Sequence, residues 1–384
     1  MEALITPTII RWALERVRKP PEQVAQELSV TPDRFAAWAN GELRPTLRQA
    51  QELAKKLRIP FGYLYLDDPP RETLPLPDLR TIKPEQSVHP SPDLMDVIHD
   101  ALRKQEWYRE QLQHEERPKV NFVGRYSQQD APDQIARDIR DTLGINMYQR
   151  PHTSSWEAFL RYLIMRVENK GVLVLRSGIV GSDVHRRLDV REFLGFVISD
   201  KLAPLVFLNS NDYKTAQIFT LAHELAHLWI DQSGVLNPNY RVLRQKNEVE
   251  TTCDNIAAET LVPGADFDLR WDESKSVDGN VSALAIAYRV SAFVVLRRAY
   301  SLNRISRAIF SAKYDALLQS ITRRKIEDDG HYYSLVTSRN SHIFTHTLIG
   351  AVGAGLESPV EAARLLNVRV GTLRKIEGYI FSHA

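Results

Sequence analysis

The sequence predicts an α+β protein that is mostly helical. Three observations lead there. Apolar residues recur at helical spacing along most of the 384 residues. Short, nearly all-apolar runs that read as strands are confined to residues 171–209. One dense apolar stretch, Gln217 to Ile230, carries two histidines and a single glutamate. The expected layout is an N-terminal helical bundle, a central domain in which a small sheet leads into that stretch, and a helical C-terminal part. The length allows two or three domains with sizeable cores.

Composition is ordinary for a globular chain, and the formal charge is only +2. Affinity for nucleic acid would therefore have to come from local patches. The single cysteine excludes an internal disulfide framework and suits a reducing compartment. The start, MEALITPTIIRWALERVRK, lacks the long apolar core of a signal peptide. No run approaches the roughly 18 apolar residues of a membrane span. The expectation is a cytoplasmic protein with no membrane partner.

Residues 1–66 form the first expected unit, with helical patterns at Thr8–Arg18, Pro21–Leu28, Pro32–Asn40, Leu47–Leu57 and Phe61–Leu66. Ser29-Val30-Thr31 reads as a tight turn, with Thr31 capping the next helix and Pro32 at its first position. The run PEQVAQELSVTPDRFAAWANGELRPTLRQAQELAKKL resembles the helix-turn-helix domains of XRE-type (Cro/CI-like) regulators. The resemblance makes Pro32–Asn40 a recognition helix, with Asp33, Arg34, Ala37 and Asn40 toward a DNA groove. Charge gives modest support, ten Lys/Arg against seven Asp/Glu. A helical module for dimerisation or partner binding is the alternative. Residues 67–92, with DDPP, LPLPDL and HPSP, read as a proline-rich linker in which Leu74, Leu76 and Leu79 provide something to bury.

Residues 93–329 read as the central domain, with its core at 154–300. Helices are expected from Pro92 to about Arg117, at Ala131–Leu143 and at Trp156–Lys170. GVLVLRS, EFLGFVIS and APLVFLN then read as strands. Gly195–Ile198 or Val206–Leu208 is expected at a sheet edge, where an extended peptide could pair with it. The stretch QIFTLAHELAHLWI follows as a buried helix. His223 and His227 lie four residues apart, so they share one helix face and can hold one Zn2+ ion. Glu224 is the only charged residue between Thr220 and Ile230, and a buried unpaired carboxylate is costly without a task. Its expected role is general base toward a water that the ion acidifies. A core helix with satisfied polar groups is the plainer reading.

A third ligand is needed. NEVETTCDNIAAETLVP, Asn247 to Pro263, reads as a second helix, and Glu250 is the chosen donor. Asp254 follows one turn on and could fix the tautomer of a ligand histidine. Cys253 is a rival metal contact or a small core residue. Glu259 is taken to face solvent. HELAH followed by E-x-x-C-D-N-I-A-A-E-T-L-V-P resembles the ImmA/IrrE family of zinc metallo-endopeptidases, over about Gly171 to Ala299. The resemblance implies a zincin-like catalytic domain, His223, His227 and Glu250 as ligands and Glu224 as base. Family members more often carry Ala-Asn where this chain has Cys253-Asp254.

Residues 281–326 hold nine Lys/Arg against one acid, and VSALAIAYRVSAFVVLRRAYSLNRIS has the pattern of another helix-turn-helix. Arg297 and Arg298, with Arg323, Arg324 and Lys325 later, are candidates for DNA contact, double- or single-stranded. A solvated surface packed on the peptidase core is the competing reading. Tyr288, His185 and Arg289 are unranked candidates for oxyanion stabilisation. Residues 330–384 read as a small C-terminal domain, a sensor or an oligomer contact such as a homodimer interface. Its His342 and His346 lack an accompanying glutamate and make no complete metal site.

These readings converge on a zinc metallo-endopeptidase with a helix-turn-helix arm. The family resemblance implies the substrate, a partner XRE-type repressor whose cleavage derepresses stress, DNA-damage or mobile-element genes. The alternative is a DNA-binding regulator or antitoxin-like protein whose zinc site is structural or sensory.

Overall fold

Phe35 and Trp38 are the large fully buried side chains around which the N-terminal helices close. The computed structural model describes residues 2–70, 74–76, 90–145, 155–235, 248–320 and 332–382. Most of the expected linker, Leu79 included, lies outside them, as do Asn247, Arg323, Arg324 and Lys325. The protein is α+β and mostly helical, with one small mixed sheet. It divides into two compact units, one running to Pro75 and including the first turns of the fifth helix to Ile98, the other running from His99 onward.

The first unit contains α1 (Pro7–Val17), α2 (Pro21–Glu27), α3 (Pro32–Asn40), α4 (Leu47–Leu57) and a short 3-10 turn at Phe61–Tyr65. Their apolar faces meet in a core of Ile9, Ile10, Val24, Phe35, Trp38 and Leu53. The turn between α2 and α3 is closed by Ser29 in the left-handed region (φ 56°). Ser29 N–H donates to Gln26 O and Val30 N–H to Ala25 O, each at 3.0 Å, a Schellman closure. Thr31 Oγ1 then accepts from Arg34 N–H at 3.3 Å and caps α3. Arg34 and Asn40 are exposed on α3, whereas Ala37 turns into the core and cannot face a partner.

The larger unit continues from α5 (Pro92–His114) through α6 (Pro132–Leu143) and α7 (Trp156–Glu168) to the strands. These are β1 (Leu173–Ser177), β2 (Ile179–Val180), β3 (Asp183–Arg187), β4 (Gly195–Ile198) and β5 (Leu205–Asn209). After α8 (Lys214–Trp229) and β6 (Gly234–Val235), the order of the main sheet is β1-β5-β4-β6. β1 and β5 run parallel, and β4 is antiparallel to both neighbours. The expected edge strands are therefore interior: Val206–Leu208 is flanked by β1 and β4, and Phe196 and Val197 pair with β6. β2 and β3 form a separate hairpin turning at Gly181.

α8 packs on β4 and β5 with one side and against α9 (Glu248–Leu261), α6 and α7 with the others. Burial on every side explains why its apolar residues show so little amphipathic bias. α10 (Gly264–Arg270), α11 (Val277–Tyr288), α12 (Ala292–Ser301) and α13 (Arg307–Ser320) complete this core. The turn from α11 to α12 repeats the geometry of α2 to α3. Arg289 is left-handed (φ 54°), its N–H donates to Ile286 O, and Val290 N–H donates to Ala285 O. The C-terminal part is α14 (Tyr332–Asn340), α15 (His342–Gly353), α16 (Pro359–Leu365) and α17 (Leu373–Ser382). Asn367 (φ 55°) closes the end of α16 with the same two bonds.

α14 lies over β1, and the start of α15 is held by Glu168 at the end of α7. Glu168 Oε1 accepts from Ser341 Oγ at 2.5 Å and from His342 N–H at 2.9 Å, so a distant carboxylate caps the helix. Glu168 is only 5% exposed. Burial pushes its carboxyl up to about 7, against hydrogen bonds that favour the charged form. Between the ordinary 4.5 and about 7 the folded state keeps a proton that the unfolded chain has lost, so stability falls as pH rises through that window. The loss is about 3 kcal/mol at most. Glu168→Gln keeps the acceptor oxygen and removes the titration. Urea unfolding followed from about pH 5 to about pH 7.5 is expected to decline less steeply in this variant than in the wild type.

Candidate metal centre

His223 and His227 project from the same face of α8 toward the first turn of α9, where Glu250 stands. All three are buried. One ligand atom from each residue lies within 4.8 Å of the others. The two Nε2 atoms are 3.0 Å apart, His223 Nε2 is 3.3 Å from Glu250 Oε2, and His227 Nε2 is 3.3 Å from Glu250 Oε1. An ion bonded tetrahedrally at about 2.0–2.1 Å separates its donors by about 3.3 Å. The triangle therefore has the dimensions of three corners of such a site.

The donor chemistry fits a cation as well. His223 Nδ1 lies 3.0 Å from Asp254 Oδ1, and Asp254 Oδ2 accepts from Arg297 at 3.0 Å. A carboxylate paired with a guanidinium is an acceptor, so Nδ1 carries the hydrogen and the Nε2 lone pair points at His227. Two imidazole nitrogens 3.0 Å apart need a hydrogen or a cation between them. Without a metal that role falls to a proton. Burial works against charge on His223, but Glu250 and Asp254 outweigh it and push its pKa up to about 10. Burial would also raise Glu250, yet His223 and His227 hold it well below the usual carboxylate range. The two carboxylates thus favour positive charge in the pocket, which a divalent ion would also supply.

Glu224 stands beside this triangle, fully buried, with Oε1 lacking a hydrogen-bond partner among the described residues. Burial pushes its carboxyl up to about 8; Glu250 adds to the shift and His223 opposes it. The residue facing it is Gly195 on β4. A Cβ there would fall 2.7 Å from Phe207 O and 3.0 Å from Glu224 Oε1. The bare backbone at Gly195 lets the sheet come against the carboxylate. Neither Gly195 nor the placement of Arg297 at Asp254 was anticipated from sequence. A glycine inside a strand run signals close approach, but nothing local ties Arg297 to a residue 43 positions earlier.

The remaining candidates are placed as follows. Cys253 lies in the apolar core, where burial raises its thiol pKa well above the ordinary value. Glu259 does not face solvent: it pairs with Arg298 and accepts from Gly264 N–H at the start of α10. Arg298 is 8% exposed, so it and Arg297 turn toward Glu259 and Asp254 on α9, not outward as a basic surface. Tyr288 donates to Asp266 at 2.8 Å, and His185 is exposed on β3. The backbone of Arg289 closes the turn between α11 and α12.

Residues 167–300 match the family model described as the IrrE N-terminal-like domain, Peptidase_M78. The match covers about a third of the chain and includes the sheet strands, α8, α9 and α11. It supports the resemblance to the ImmA/IrrE family and identifies this segment as a peptidase-type domain. No curated protein matches the chain.

Metal analysis of the purified chain is expected to find about one divalent ion, lost in His227→Ala. Asp254→Ala is expected to weaken that binding roughly 10–100-fold, as losses of a ligand's orienting partner do. Competition with a chromogenic chelator measures both.

Proposed function

We propose that this protein is a zinc-dependent regulatory endopeptidase that cleaves a partner transcriptional repressor in the cytoplasm. The observation that carries the reading is the convergence of His223, His227 and Glu250 next to a buried carboxylate whose Oε1 has no hydrogen-bond partner among the described residues. A structural metal site has no need of Glu224. A hydrolytic one does.

His223, His227 and Glu250 would hold the zinc. When bound, zinc supplies a Lewis acid that acidifies a water molecule and polarises the scissile carbonyl. Asp254 keeps the proton of His223 on Nδ1, which leaves Nε2 free to ligate. Arg297 pairs with Asp254 and holds it in place. Glu224 Oε1 takes the proton of the attacking water and returns it to the leaving amine. The apolar surroundings of α8 keep bulk water away from that transfer. No single described helix is long and apolar enough to cross a membrane.

The N-terminal unit gives the enzyme a second surface. Arg34 and Asn40 are exposed on α3, which suits contact with DNA or with a repressor of similar build. That exposure also supports the second reading, a DNA-binding or antitoxin-like regulator in which the metal is structural. The two readings part on Glu224. Co-expression with the repressor encoded beside it, with and without a DNA-damaging agent, is expected to give a repressor fragment with the wild type and none with Glu224→Gln. A stable complex and no fragment in either case would select the second reading.

A further inference from the structure

The C-terminal part ends in a helix-turn-helix with the same register as α2 and α3. α15 packs on both α16 and α17. The turn between α16 and α17 is closed by Asn367 (φ 55°), and Val368 N–H donates to Ala363 O at 2.9 Å. Six and nine positions after the left-handed residue, α3 buries Phe35 and Trp38; at the same offsets α17 buries Leu373 and Ile376. α17 is therefore seated by the same two positions as α3, with the opposite face turned outward. The turn is also held from behind. Asn367 Nδ2 donates to Asp100 of α5 at 3.0 Å, and Trp107 Nε1 of α5 donates to Glu357, just ahead of α16, at 2.7 Å.

The outward faces differ in chemistry. Gly371, Arg374, Lys375 and Gly378 recur at helical spacing opposite Leu373 and Ile376, and all four are exposed. Arg369, where the chain enters α17, is exposed as well. Arg369, Arg374 and Lys375 pair with no carboxylate among the described residues. The two acids of the motif stand apart from this face: Glu361 of α16 pairs with Arg364 at 2.7 Å, and Glu377 lies on the flank of α17. At the matching positions α3 turns out Asp33, Ala36 and Asn40, while α12 has Leu296 in the core and Arg297 bound to Asp254. We infer that the C-terminal helix-turn-helix binds double-stranded DNA, with α17 as the helix that enters the major groove. Arginine and lysine on its first turns suit phosphates and guanine edges. Gly371 and Gly378 let the backbone approach closely. Val370, 46% exposed, offers apolar contact to a thymine methyl. A carboxylate on such a face is repelled by phosphates; α3 carries one in Asp33 and α17 carries none. The inference does not depend on the peptidase reading, since these residues lie beyond the matched segment 167–300. They belong to the same compact unit as the metal centre, so the body that bears the metal ligands is the body held on DNA.

The test is fluorescence anisotropy of a labelled, mixed-sequence DNA duplex titrated with the full chain at several salt concentrations. The wild type is expected to bind, with an affinity that falls steeply as salt rises. Arg374→Ala/Lys375→Ala alters two exposed side chains and leaves Leu373 and Ile376 in place. It is expected to weaken binding roughly tenfold at low salt and to lower the slope of log affinity against log salt by about two. Arg374→Lys/Lys375→Arg keeps both charges and is expected to keep the affinity for this mixed sequence. Arg34→Ala/Asn40→Ala on α3 is expected to change it little. No binding of the duplex at low salt, or binding that the Arg374→Ala/Lys375→Ala pair leaves intact, overturns the proposal. Loss only in the α3 variant also overturns it and moves the interface to the N-terminal unit. Tighter binding of the separated single strand than of the duplex overturns the major-groove assignment.

Discussion

Three carboxylates, Glu224, Glu250 and Asp254, are buried in one seam between α8 and α9. Ionised groups so placed are costly unless positive charge is brought to them. Much of the larger unit is arranged to bring it. α12 enters from the turn at Arg289 and Val290 and delivers Arg297 to Asp254. Asp254 in turn orients His223, and His223 with His227 faces Glu250. A divalent ion held by His223, His227 and Glu250 would complete the compensation. The same arrangement separates the roles of the carboxylates. Glu250 is held well below the usual carboxylate range by the two histidines and Asp254 is paired with Arg297, while burial pushes Glu224 up toward neutrality. Residues only a few ångströms apart thus differ in proton affinity by environment alone, the condition for one to ligate and another to transfer protons.

The parts of this arrangement that were legible in the sequence are those encoded locally. The spacing of His223 and His227 on an apolar helix, Glu250 opening a second helix, and Asp254 one turn further all follow from helical periodicity. The Thr31 cap follows from a short-range rule. The parts that were not legible depend on what arrives from elsewhere in the chain. Arg297 and Arg298 read as a basic surface because periodicity cannot say that the opposing faces carry Asp254 and Glu259. Glu259 reads as solvent-facing for the same reason. Sheet order is equally nonlocal: β5 is as apolar as an interior strand should be, but only pairing with β1 and β4 makes it one. The β2–β3 hairpin was missed although Gly181-Ser182 is a short-range turn signal.

The turn that closes α2 onto α3 also closes α11 onto α12 and ends α16. In each, a non-glycine residue (Ser29, Arg289 or Asn367) takes the left-handed conformation. A buried alanine five residues before the following valine accepts that valine's N–H. The same closure, with another residue in place of the valine, also ends α4 at Arg58 and joins α12 to α13 at Asn303. In α12 the second helix is committed to the interior, where its arginines serve Asp254 and Glu259. A helix-turn-helix is thus a packing device first, and its presence alone assigns no nucleic-acid partner. What sets α3 apart is the exposure of Arg34 and Asn40 with no buried carboxylate calling them inward. The case for an interaction surface in the N-terminal unit stands on that exposure, and not on the turn.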